Sequence, residues 1–212
     1  KILEYLTYSI HIWSKLILIR KINKKQSCSG ISLKTQLLYG IVFFTRYIAQ
    51  LFTFEFEFLY FLKMFLLLST LYTIYIIAFK YKGAYQADLD KSPVSILILV
   101  SYILAIIVAR PWKFGQIVWT SSIILETVSM FPQFQMLVNC KNIDNFTSNY
   151  VAALAGYRVI YLLYFIMLFI QEGAHLSWIV WVSTIIQSIL NAEFLYYWFK
   201  SKIHGSKIEL PK

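Results

Sequence analysis

The chain has 212 residues, 59% of them hydrophobic and only 14% charged, with a formal net charge of +10 and a mean hydropathy of +0.63. A soluble domain of this length cannot bury so much apolar surface, so the balance excludes one and places the chain in a membrane. A nucleic-acid binder is excluded with it, because such a protein carries its cations as a patch on a soluble fold, whereas here they gather at the ends of apolar runs.

A hydrocarbon core takes roughly 20 apolar residues per helix, which predicts seven spans over residues 2–20, 31–54, 57–79, 94–109, 114–138, 149–170 and 175–199. The first run ends in Arg20, Lys21, Lys24 and Lys25. A cleavable signal peptide would end at small residues, so this run is expected to be a retained helix; its start at Lys1 rather than Met leaves room for an initiator or a short leader. The third run, with Phe58 to Leu71 unbroken, lacks the alternation of a barrel strand. The longest polar connection, Tyr81 to Pro93, is too short for a separate domain. Residues 1–199 are therefore expected to form one transmembrane domain of the all-α class, followed by a basic tail over 200–212.

Basic residues mark cytosolic loops. Most of the 20 lie at the first, third and fifth connections and in the tail, which puts the N-terminus outside the cytosol and the C-terminus inside it. Cys28 and Cys140 then fall on the reducing side, where a structural disulfide is not expected. The glycosylation pattern Asn145-Phe146-Thr147 falls there too and is expected to stay unmodified.

Polar residues inside the spans sort into helical stripes. Glu4, Tyr8, His11 and Lys15 share a face of the first span; Gln36, Phe43, Arg46 and Gln50 share one of the second. Gln116, Trp119, Ile123 and Glu126 follow in the fifth, Tyr157, Tyr161 and Tyr164 in the sixth, and Ser183, Gln187 and Asn191 in the seventh. Pointed at a common axis, these stripes make a polar cavity. Plainer readings stand beside them. Tyrosines suit packing and membrane edges, Lys15 and Lys63 can snorkel to headgroups, and His11 can satisfy a neighbouring carbonyl. Arg46 and Glu126 resist such readings, since a charge near the centre of a span costs several kcal/mol unless it is paired. Glu126 alone would be relieved by staying neutral.

No His-Glu-x-x-His motif, Gly-x-Ser-x-Gly elbow or phosphate-binding glycine loop is present, and His11, His175 and His204 fall on the first span, the far side of the membrane and the tail, so they are not expected to share one metal. The chain is read as no enzyme, with neither cofactor nor metal.

An ordered set of residues resembles the KDEL receptors. Ser27-Cys28-Ser29-Gly30-Ile31-Ser32, Lys34, Gln36 and Thr45-Arg46-Tyr47 look like that family's second-helix signature. Trp119, Glu126, Pro132-Gln133, Tyr157-Arg158, Tyr161-Leu162, Glu172-Gly173 and Leu210-Pro211 continue the match nearly to the end. The resemblance implies a seven-helix fold similar to SWEET and PQ-loop transporters, with two three-helix repeats joined by the fourth helix. It implies a receptor in endoplasmic reticulum and cis-Golgi membranes that binds the C-terminal retention signals of luminal proteins in the acidic Golgi and returns them. Arg46 would take the terminal carboxylate, with Trp119, Tyr157 and Tyr161 beside the peptide and His11 and Glu126 sensing pH. Lys200, Lys202 and Lys207 would meet the retrograde vesicle coat, and lipid would surround the helices.

The pattern is not complete. Glu4 and Leu168 stand where the family has arginines that clamp the signal's acids. Gln116, with Ala49 or Gln50, replaces acids that receive its lysine, and Tyr164 replaces an asparagine. Each lost charge-assisted contact is worth about 1.5–3 kcal/mol, so a different signal is expected. Two other readings stay open: a relative that no longer binds peptide, and a PQ-loop type of small-solute transporter.

Overall fold

A computed structural model of the chain describes residues 2–47, 57–140, 145–172 and 177–204. Among them the regular structure is helical: α1 (Ile2–Lys25), α2 (Leu33–Tyr47), α3 (Phe58–Tyr75), α4 (Val94–Val108), α5 (Phe114–Val128), α6 (Phe131–Asn139), α7 (Asn145–Glu172) and α8 (Trp178–His204). Three segments, Phe58–Lys80, Thr147–Gln171 and Trp178–His204, are long and apolar enough to cross a membrane.

The burial pattern of α1 is that of a protein in lipid. Its inward stripe is Thr7, His11, Ser14, Lys15, Leu18, Lys21 and Ile22, while Leu6, Trp13 and Leu16 face outward. Polar groups turn inward because hydrocarbon offers them no hydrogen bonds. The helix stops at Gln26, whose φ of 49° is the left-handed turn that closes many helix C-termini. Ser32 then opens α2, its Oγ accepting from the Thr35 N–H at 3.0 Å as an N-cap does. Gly40 brings α2 close to α3: a Cβ there would lie 3.0 Å from Ile74 Cδ1.

At its end α3 widens into a π-helical turn, Ile76–Lys80, followed by a 3₁₀ turn, Lys82–Ala84. α4 is apolar but for Ser95, Ser101 and Tyr102 and leaves most of its surface outward. The fifth predicted span is broken in two. Pro132 sits in the first turn of α6, where its missing N–H does no harm, but it could not continue a single helix from α5. The last helix runs past the expected limit at 199 to His204, so that Lys200 and Lys202 are exposed on its final turns.

α1 packs along α7 and against α3, α2 lies between α3 and α5, and α8 lines up on α7 and α5. The first connection, the connection over residues 81–93, α6 and the start of α7 meet at one end of the bundle. Gln133 donates through Nε2 to the Gly30 carbonyl at 2.8 Å and accepts from the Ser32 N–H at 3.0 Å. Gly30 has φ +73°, which glycine adopts without strain. The buried Asp90 carboxylate accepts from Ser32 Oγ at 2.9–3.0 Å, from the Lys34 N–H at 3.2 Å and from Tyr85 Oη at 2.6 Å, a negative charge where the α2 dipole favours one. Lys21 donates to the Ser29 carbonyl at 2.7 Å and to Thr147 Oγ1, tying α1 to α7.

Candidate functional site

Within the bundle α1, α2, α5 and α7 bring their polar residues to one level. Arg46 Nη1 lies 2.6 Å from Glu126 Oε2, and Arg158 Nη2 lies 2.7 Å from Glu126 Oε1. Arg46 Nε also donates to Ser122 Oγ at 3.3 Å. One carboxylate thus bridges two guanidiniums, and the layer keeps one positive charge over. The side chains of Arg158 and Glu126 are 4% and 9% exposed and that of Arg46 is 19% exposed, so Arg46 is the member nearest open space. Its Nη2 is buried without a hydrogen-bond partner.

His11 lines the same space. Its ring stacks on Tyr157 with centroids 4.1 Å apart and an interplanar angle of 18°, and meets Tyr39 and Phe43 edge-on. Its Nε2 is buried with no partner. Arg46 and His11 open onto a small cavity of about 30 Å³, walled also by Thr7, Tyr8, Tyr47 and Tyr161. That is room for a water molecule, not for a peptide. Glu126 is the one acid among the cavity's described walls.

Several sequence expectations change here. Glu126 is not a lone acid relieved by neutrality, because its partners are two arginines. Arg158, given no role of its own in the sequence reading beyond its place beside Tyr157, supplies one of them. Lys15 does not snorkel: it is fully buried and donates to Gln36 Oε1 at 2.7 Å. Lys63 turns toward the tyrosine rings of the bundle, its Nζ 6.0 Å from the Tyr8 centroid and 5.9 Å from that of Tyr47. His11, Arg46, Glu126, Tyr157 and Tyr161 come together around the cavity. Glu4, Gln116 and Trp119 do not line it: Glu4 and Gln116 are half-buried and Trp119 is 36% exposed. Ala49, Gln50, His175 and Lys207 lie outside the described residues.

Residues 27–168 match the family described as ER lumen protein retaining receptor. The chain belongs to that family. ER lumen protein-retaining receptor B of Arabidopsis thaliana is 38% identical over 206 residues, 95% of this chain and 94% of the relative. The receptor of Petunia hybrida is 37% identical over 205 residues, with 95% and 94% covered. That of Dictyostelium discoideum is 35% identical over 218 residues, with 99% and 98% covered. ER lumen protein-retaining receptors are receptors and not enzymes. The sequence match begins at Ser27 and ends at Leu168, so it takes in Arg46, Glu126 and Arg158, the three charges of the buried layer.

Proposed function

We propose that this chain retrieves luminal proteins of the endoplasmic reticulum by holding the C-terminal carboxylate of a retention signal against Arg46. The observation that carries the reading is the surplus positive charge of the Arg46–Glu126–Arg158 layer, with Arg46 Nη2 unpartnered at the wall of the cavity. A guanidinium fork suits a carboxylate bidentately, and His11 faces the same space. Protonation of His11 would add attraction in an acidic compartment and withdraw it in a neutral one. The cavity is too small for the peptide as it stands, so binding entails parting of the helices around it.

The signal is expected to differ from an ordinary Lys-Asp-Glu-Leu tail. Glu4 stands in the first turn of α1 on the face that continues to Thr7 and Tyr8, and would repel acids of the signal. Aromatic side chains form much of the wall, favouring less acidic neighbours of the carboxylate. The seven-span arrangement of two repeats, a luminal N-terminus, and contact of Lys200 and Lys202 with a vesicle coat complete the proposal; the excess of basic residues at the loop end of the bundle supports that orientation.

A library of C-terminal tetrapeptides, free and amidated, tests it against the purified chain. Free-carboxylate peptides should bind more tightly at about pH 5.5 than at about pH 7.2. Arg46→Ala should remove binding and Arg46→Lys should weaken it, keeping the charge without the fork. Equal binding of amidated peptides, or no binding at either pH, overturns the reading.

A further inference from the structure

Lys15 is an ionisable group in the bundle that the retention reading leaves unused. It is wholly buried one helical turn from His11. Its Nζ donates to Gln36 Oε1 at 2.7 Å and lies 5.2 Å from the centroid of the Tyr39 ring, which His11 also touches. The Gln36 amide is fixed from its other side, its Nε2 donating to Tyr150 Oη at 2.7 Å. Gln36 Oε1 can accept from an ammonium or, more weakly, from an amine, so this contact persists in both states of Lys15.

Titratable and charged groups lie around Lys15 and in the cavity layer beyond it. α1 supplies His11, α2 supplies Tyr39 and Arg46, and α7 supplies Tyr150, Tyr157 and Arg158. α3 adds Lys63 near Tyr8 and Tyr47, and α5 adds Glu126. Glu126 is the one acid of that set, and two arginines already share it. His11 therefore sits beside a layer that is positive before it gains a proton, Lys15 lies one helical turn further along α1, and the Gln36 and Tyr39 groups that meet Lys15 are neutral. Each added proton raises the charge of a poorly solvated cluster, while a carboxylate brought to Arg46 lowers it. Carboxylate binding and proton uptake are thereby linked.

We propose that Lys15 is a second proton-accepting group of the retention site, gaining its proton together with His11 as a carboxylate-terminated peptide seats against Arg46. The proposal rests on the peptide-binding reading above. Lys15 acts as a positioning residue for charge and does not line the cavity.

Calorimetry of the full chain in two buffers of different ionisation enthalpy counts the protons taken up. The probe is a free-carboxylate tetrapeptide selected from the library at about pH 5.5. The unaltered chain should take up more than one proton per peptide, and log affinity should fall by more than about 1 per pH unit. Lys15→Met should bring both to about 1 or below. Uptake of one proton or fewer by the unaltered chain overturns the proposal, as does a Lys15→Met pH profile that matches it. Should Lys15→Met fail to fold, Lys15→Gln and the proton count on the unaltered chain decide. Absence of peptide binding at every pH sinks the retention reading and this proposal together; pH-dependent binding indifferent to Lys15 sinks this one alone.

Discussion

At the scale of single residues, Glu126 does the most with one side chain. It holds Arg46 and Arg158 at 2.6 and 2.7 Å, and its loss leaves two buried guanidiniums facing each other. Breaking a buried ion pair by removing one partner costs about 3–5 kcal/mol. Glu126→Gln keeps the shape but not the charge and should fall toward the lower end, lowering the thermal midpoint of the chain in detergent well beyond an exposed control such as Glu193→Gln. An unchanged midpoint would mean the three side chains do not form a network. The layer was only partly legible in the sequence. Arg46 and Glu126 announced themselves as charges central to their spans, but Arg158 lay beside a tyrosine stripe, and helical periodicity tells which face a residue occupies without telling which helix it meets. Trp119 went the other way. It shares a direction with Glu126, seven residues on, yet about 1.5 Å of rise per residue puts it roughly 10 Å along the axis, beyond the cavity's described walls.

At the scale of elements, the first connection and α6 hold each other through one amide. Gln133 satisfies the Gly30 carbonyl and the Ser32 N–H, both part of a buried turn. Gln133→Leu, close in volume and without hydrogen bonds, leaves a donor and an acceptor unpaired, each costing about 1–3 kcal/mol. The loss should appear as faster amide exchange across residues 26–35, with the exchange of α8 changed less. Exchange that rises uniformly would show the amide to be no local lock. As helices, α3, α4 and α7 fall within a few residues of the apolar runs expected from hydropathy. The break between α5 and α6 was not placed, although Pro132 marked it, because membrane helices often carry proline as a mere kink. The extension of α8 to His204 was missed for a simpler reason: Lys200 and Lys202 end a hydrophobic run without ending a helix.

For the whole molecule, the loop end of the bundle carries its own dependence on pH. Burial pushes the Cys28 thiol up to about 11 from an ordinary value of 9.0. Burial, and then the adjacent Asp90 carboxylate, hold the Tyr85 phenol above its usual range. Both groups bind their protons more tightly folded than unfolded. Their contribution to stability is therefore complete below the unfolded values and is lost as pH climbs toward the folded ones. The thermal midpoint should fall from about pH 9 toward pH 11, and Cys28→Ala should flatten part of that fall. A midpoint that declines identically in both chains would assign the loss elsewhere.

The same loop end has a consequence in time. The Gly30 carbonyl waits for Gln133, 103 residues later in the chain, and Lys21 waits for Thr147, 126 residues later. A turn made early in synthesis cannot close until most of the bundle has been inserted, and contacts so distant in sequence form slowly. Until then the turn's polar backbone must be satisfied by water at the membrane surface. A ribosome stalled between these positions would hold a chain whose first two helices are present and whose first turn is still open.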